Sequence, residues 1–309
     1  MSELEVVHPG VLSQVQDLGR FGVARAGLSQ GGAMDLNAFC WGNHLLGNPI
    51  GAPQVELTLG RSVFMAHRDM LCVLTGADMH GRIGDRAIEP WQTFILRAGQ
   101  QLSLGYARHG LRAYLAVEGG FEIEPVLGSC ATVTRNQLGG LADGEPLQAG
   151  DRLAVGDGHG QKAGRSVPWR YIPDYSQPLK LRVIESYQQT LFTDEEKQSF
   201  YGGEYRVSQA SDRMGCRLQG PEVSAEVGGI ISEAIELGAI QFPANGQPII
   251  LLSDRQTLGG YPKLGCVARV DLPALAQAKP GDSIRFVKGD LTELRRQWCE
   301  FSRFFGLPF

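Results

Sequence analysis

Between residues 249 and 271 the chain reads IILLSDRQTLGGYPKLGCVARVD, two apolar runs separated by a stretch dense in groups that do chemistry. Asp254 and Arg255 come straight off the first run, Gln256 and Thr257 follow, and Tyr261 and Lys263 lie beyond a Gly-Gly pair. A plain hairpin needs only about two to five permissive residues. Two further stretches share the character. QDLGRFGVARAGLSQGGAMD (16–35) spreads Asp17, Arg20 and Asp35 among glycines, and SQASDRMGCRLQG (208–220) holds Ser211, Asp212 and Arg213. Glycines let a backbone approach a ligand and expose its N–H groups, and Arg or Lys beside them binds an oxyanion. The competing reading is that Asp17 with Arg20, and Asp212 with Arg213, are ion pairs that stabilise turns.

Several other patterns carry nothing. Gly27-Leu28-Ser29-Gln30-Gly31 satisfies G-x-S-x-G, but a nucleophile elbow needs a buried strand before it, and GVARA is not one. Gly158-His159-Gly160-Gln161-Lys162-Ala163 satisfies G-x-G-x-x-A without a helix to follow. No G-x-x-x-x-G-K-[ST] occurs, so any nucleoside triphosphate handled by such a chain would have to be held by other means, or shared with another chain. The six cysteines never fall in a C-x-x-C spacing and the six histidines form no i,i+4 pair, so no metal site is expected.

The elements that must position these loops are mostly strands. Forty-one glycines and sixteen prolines in 309 residues punctuate the chain into many short segments. Strands are expected over 11–15, 54–59, 70–75, 93–96, 101–104, 112–117 and 152–155, then over 180–185, 205–207, 239–242, 249–252, 266–270 and 283–287. A Gly- and Pro-rich stretch at 156–178 is the linker candidate. Asp35 is placed to cap a helix running to Gly47, Thr193 and Glu196 have capping-box spacing, and Asp271 is placed to cap a helix over 272–278. Asp290 and Glu293 open a tail helix with Leu291, Leu294, Trp298, Phe301 and Phe305 on one stripe. The halves echo each other: Arg20-Phe21-Gly22 with Arg213-Met214-Gly215, DMLCVLTGA with QPIILLSDR, and RAGQQLSLG with KPGDSIRFV. Two related β domains are expected, at 1–165 and 178–289, followed by a C-terminal helix over 290–309. Strand number and the need to avoid open edges favour a sandwich or barrel for each. A net charge of −4 offers no face to nucleic acid, and no apolar run approaches membrane-spanning length. A cytoplasmic protein is expected.

VQDLGRFG with GGAMD, GSCATVTRNQLGGL, SDRMGCRLQG, GAIQFPANGQPIILLSDRQTLGGYPK and PGDSIRF, in that order across nearly the whole chain, resemble the biotin-dependent carboxyltransferase family, also called allophanate hydrolase subunit 2-like. Two positions depart from its pattern: Leu258 stands where the family usually has a second Thr, and Ala131 where it usually has Ser. The resemblance implies mainly β architecture with two cyclophilin-like barrels. It also implies a chain inactive alone, which joins a smaller B subunit to phosphorylate 5-oxoproline (pyroglutamate) at the expense of ATP and Mg²⁺, for opening to glutamate by an A subunit. Phosphoryl transfer asks for positioning and positive charge more than for a nucleophile. On that reading Arg255, Lys263 and Arg213 are the catalytic cations, with Asp254 orienting them or holding Mg²⁺. Gln241, Gln256, Thr257, Tyr261, Ser211, Asp212, Asp17, Arg20 and Asp35 form the substrate-binding set. Two alternatives belong to other classes: a carboxyltransferase component acting on urea or a related amide, although no biotin-carrying segment is present on this chain, and a non-catalytic protein that antagonises a kinase inhibitor.

Overall fold

Alternation of apolar residues builds the strands, and in the first half it runs unbroken where a strand is covered on both faces. Arg112–Val117 is buried at every position, because the core takes Ala113, Leu115 and Val117 on one face and the helix Leu36–Leu46 covers the other. The computed structural model describes residues 3–307. It divides into two units: the chain up to Phe21 with Gly31–Ser176, and Gly22–Gln30 with the chain from Gln177 on.

In the first unit a five-stranded sheet runs Leu12–Gln16, Gln54–Thr58, Arg112–Val117, Met70–Gly76, Thr93–Leu96. A second, six-stranded sheet contains Glu3–Pro9 between Arg152–Ala154 and Ser62–Ala66. Inward residues such as Leu4, Leu57, Phe64, Leu102 and Leu115 make one core. Helix α1 (Leu36–Leu46) lies against Met70–Gly76 and Arg112–Val117. Asp35 caps it, accepting from the Ala38 amide at 2.9 Å, and Gly47 ends it in the left-handed conformation. The linker is tied down early. Glu118 accepts from the amides of His159 and Gln161, and Thr93 exchanges bonds with Gly164 and Arg165.

The second unit is a closed barrel of seven strands in the order Leu179–Glu185, Lys263–Val267, Ala239–Gln241, Ile249–Leu251, Gly215–Gln219, Tyr205–Val207, Ser283–Lys288. Closure leaves no edge to protect, which is how short strands remain soluble. Helix α2 (Asp194–Gly202), capped by Thr193, sends Phe200 into the core, where it stacks on Phe286 with ring centroids 4.4 Å apart. Helix α3 is only Leu272–Leu275. The expected Asp271 cap is not made, because that carboxylate is taken by the Arg182 backbone amide and guanidinium at 2.5 to 3.0 Å. Helix α4 (Leu291–Phe305) begins at Asp290, which accepts from the Glu293 amide. Its stripe is Leu294, Trp298, Phe301 and Phe305, with Arg269 over the Trp298 ring at 4.0 Å, whereas Leu291 is left exposed.

One strand differs in a way that matters for the site. The run expected at 266–270 pairs instead as Lys263–Val267, because Lys263, Gly265 and Cys266 form the ladder with Gln241, Ile240 and Ala239.

Candidate functional site

The strands on either side of SDRQTLGGYPKL are not neighbours. Ala239–Gln241 lies between Ile249–Leu251 and Lys263–Val267, so residues 252–262 cross over a strand instead of turning between two. That is why the stretch exceeds a hairpin. Within it Leu258–Gly259 pairs with Glu233–Ala234, and the amides of Ile230 and Ile235 donate to the carbonyls of Gly260 and Thr257. The crossover is therefore strapped down by residues 230–235.

The barrel register decides which side chains meet. Cys216, Ile250 and Ile240 stand opposite one another and point inward, all nearly fully buried. Side chains alternate along a strand, so the adjoining row, Arg217, Ile249 and Gln241, faces the other way. A cavity of about 390 Å³ lies on that face, reached also by Asp212, Gln256 and Tyr261. Gln241 is 1% exposed, and its Nε2 has no hydrogen-bond partner among the described residues. A buried amide left unsatisfied costs about 1 to 3 kcal/mol, so this nitrogen calls for a partner.

The Gly-Gly pair serves close approach and not an unusual backbone, since neither residue has positive φ. A Cβ at Gly259 would stand 2.5 Å from Ile235 Cδ1 and 2.8 Å from Gln241 Nε2, and one at Gly260 would stand 2.9 Å from the Ile230 carbonyl.

The four groups expected to be catalytic are gathered around this crossover, and each is engaged. Arg213 donates to both Asp254 oxygens at 2.9 and 3.0 Å, a buried two-point pair. Arg255 donates to the carbonyls of Ile235 and Leu252. The Lys263 ammonium lies 2.5 Å from Glu233 and 3.7 Å from Glu236, and donates to the Ala234 carbonyl. Burial works against that ammonium, but the Glu233 bond and the Glu236 charge outweigh it and hold its pKa above the ordinary lysine value. Glu233 is correspondingly held below the usual carboxylate range by Lys263 and then Tyr187, whose hydroxyl donates to it.

Of the expected substrate-binding set, Gln241, Gln256, Tyr261 and Asp212 line the cavity. Asp212 Oδ1 accepts from the amides of Met214 and Gly215. Ser211 ties the same turn through the Arg217 amide and carbonyl, and Thr257 serves the strap through its carbonyl. Asp17, Arg20 and Asp35 lie in the first unit. Asp17 accepts from Gly19, Ser129 and Cys130, Arg20 donates to the carbonyls of Val126 and Ser129, and Asp35 caps α1 and accepts from Tyr175. Ser29, of the discarded G-x-S-x-G, is buried and donates to the carbonyls of Asp254 and Arg255. Arg217 was not among the expected residues. The alternation in GCRLQ could have signalled it, since it sets Arg217 opposite in facing to buried Cys216 and Leu218. Among the described residues no group of three or more His, Cys, Asp or Glu is disposed to hold a metal ion, and no helix is long and apolar enough to cross a membrane.

A mainly β chain with a closed barrel and this crossover loop belongs to the carboxyltransferase family: residues 26–288 match the carboxyltransferase domain, subdomain A and B. The chain is 35% identical over 304 residues to the 5-oxoprolinase C subunit of Escherichia coli (strain K12), covering 98% of itself and 96% of that protein. It is 38% identical over 287 residues to the 5-oxoprolinase C subunit of Haemophilus influenzae (strain ATCC 51907 / DSM 11121 / KW20 / Rd), covering 92% and 91%. Its fold is also similar to part of the K. lactis urea amidolyase, with a TM-score of 0.90 and 26% identity over 99% of this chain and 20% of that one.

Proposed function

We propose that this chain is the C subunit of an ATP-dependent 5-oxoprolinase, a cyclic-amide hydrolase complex. On this reading it acts with a B subunit to phosphorylate 5-oxoproline and passes the activated lactam to an A subunit for hydrolysis to L-glutamate. The observation that carries this is Gln241, which lines the cavity and whose buried amide nitrogen has no partner among the described residues, in a chain similar along nearly its whole length to two proteins of that name. A lactam is resonance-stabilised and its opening needs coupling to ATP, so the oxygen must be held where a phosphoryl group reaches it. Gln241, Gln256 and Tyr261 hydrogen-bond the small ring. Arg213, Asp254, Arg255 and Lys263 fix the crossover that carries Gln256 and Tyr261, and so act as positioning residues.

ATP and Mg²⁺ are shared with the partner protein of the complex. Asp212 is the carboxylate this chain offers at the cavity, and a single carboxylate suits an ion that arrives on nucleotide phosphates and keeps its waters. Mixing the three purified proteins and following ADP and glutamate tests the reading. The chain alone is expected to give no turnover and the three-protein mixture to give both products together. Turnover by the chain alone, or ATP hydrolysis that answers to urea and not to 5-oxoproline, would overturn it.

A further inference from the structure

We infer that Arg217 is the anion anchor of the barrel cavity, and that it makes the site selective for a small amide that also carries a carboxylate. The inference rests on the reading of the chain as part of a 5-oxoprolinase and deepens it.

Arg217 is the one lysine or arginine among the described residues that line the cavity. Arg213 is paired with Asp254, Arg255 is spent on two carbonyls and Lys263 is held by Glu233. The Arg217 guanidinium has no hydrogen-bond or ion-pair partner among the described residues, while its backbone is fixed through Ser211. Its place is set by the ladder. It stands opposite Ile249, which on its other side stands opposite Gln241. Neighbouring strands are about 4.8 Å apart, so the two polar residues flank one apolar floor residue at roughly 10 Å between their backbones. The floor is Ile249 and Leu251, with Gly215 leaving room beside them.

In 5-oxoproline the ring N–H lies between the lactam carbonyl and the carboxylate. Both oxygens of interest are thus on one edge of a flat, mostly apolar ring. That edge matches an amide donor at one end of the row and a guanidinium at the other. Urea and unsubstituted lactams present a carbonyl for Gln241 and nothing for Arg217. The one carboxylate among the described residues that line the cavity, Asp212, has Oδ1 satisfied by two backbone amides and precedes the strand, whereas Arg217 sits within it. With a net charge of −4 the chain gives an anion no general attraction, so its recognition falls to this local cation.

The test measures equilibrium binding of 5-oxo-L-proline, 2-pyrrolidinone and urea to the full chain by titration calorimetry, with Arg217→Met and Arg217→Lys alongside. A charge-assisted hydrogen bond corresponds to about a 10- to 100-fold difference in affinity. The wild type is expected to prefer 5-oxo-L-proline to 2-pyrrolidinone by that factor. Arg217→Met should erase the preference without changing 2-pyrrolidinone binding, and Arg217→Lys should keep part of it. A wild type without the preference, including one that binds neither lactam, overturns the inference, as does a preference that survives in Arg217→Met. The reading beneath it stands or falls separately, on whether 5-oxoproline drives ATP hydrolysis in the wild-type three-protein mixture.

Discussion

Lys263 shows how a cation near a site contributes without touching the ligand. Its ammonium joins Glu233, on the strap, to the strand that follows the crossover, and Gln188 completes the network by bonding Glu233 and the Lys263 amide. The linkage follows from the two pKa shifts. Glu233 is depressed, so its contribution is present above the ordinary carboxylate pKa of about 4.3 and is lost as pH falls through its lower folded value. Lys263 is raised, so its contribution is full below about 10.4 and is lost as pH rises through its higher folded value. Glu233 is partly exposed, which discounts the pair to about 1 to 2 kcal/mol. Urea midpoints of wild type and Glu233→Gln should therefore differ by a constant amount from about pH 5 to about pH 10, and converge below about pH 4. A gap that widens on acidification would show that the pair does not stabilise the fold in this way.

At the scale of the element, the crossover is held by contact distances that tolerate no extra atom at one place and many at the next. Gly259→Ala forces a methyl against Ile235 and the Gln241 amide. Overpacking of this kind costs about 1 to 3 kcal/mol, and here it also displaces a ligand-facing group, so turnover in the three-protein mixture should drop along with melting temperature. Leu258, one residue earlier, is 60% exposed and pairs only through its backbone. Leu258→Thr, which restores the residue usual in the family, should leave stability within about 0.5 kcal/mol. Equal melting of Gly259→Ala and wild type would mean the crossover is looser than its packing implies.

At the scale of the molecule, the second unit is not continuous in sequence. Residues 22–30 group with it, and Ser29 bonds the two carbonyls at the start of the crossover. A fragment of residues 177–309 therefore retains all seven barrel strands but lacks those two bonds. Hydrogen exchange should show barrel amides such as Ile250 and Leu251 protected as in the whole chain, with faster exchange across 254–260. Protection of the crossover equal to that in the full chain would show the segment to be dispensable there.

What the sequence alone determined was local. Short runs between Gly-containing turns placed 93–96, 112–117 and 205–207 where the structure has Thr93–Leu96, Arg112–Val117 and Tyr205–Val207, and side chains at fixed offsets announced the caps at Asp35, Thr193 and Asp290. The ordered motifs sufficed for the family, because loop chemistry is written in consecutive residues. Pairing decided the rest. Asp271 had the position of a cap but met Arg182, eighty-nine residues away, and bonded it instead. Whether a charged residue near the crossover faces the cavity depends on which strands adjoin, and that information is not local. Arg255 and Lys263 had the right types and spacing for an anion, yet the strap claims both, while the Arg217 guanidinium, without a partner among the described residues, shares a row with Gln241 because strand Ile249–Leu251 lies between them. Chain order fixes which groups exist, and only the closed barrel, by setting register, fixes which of them share a face.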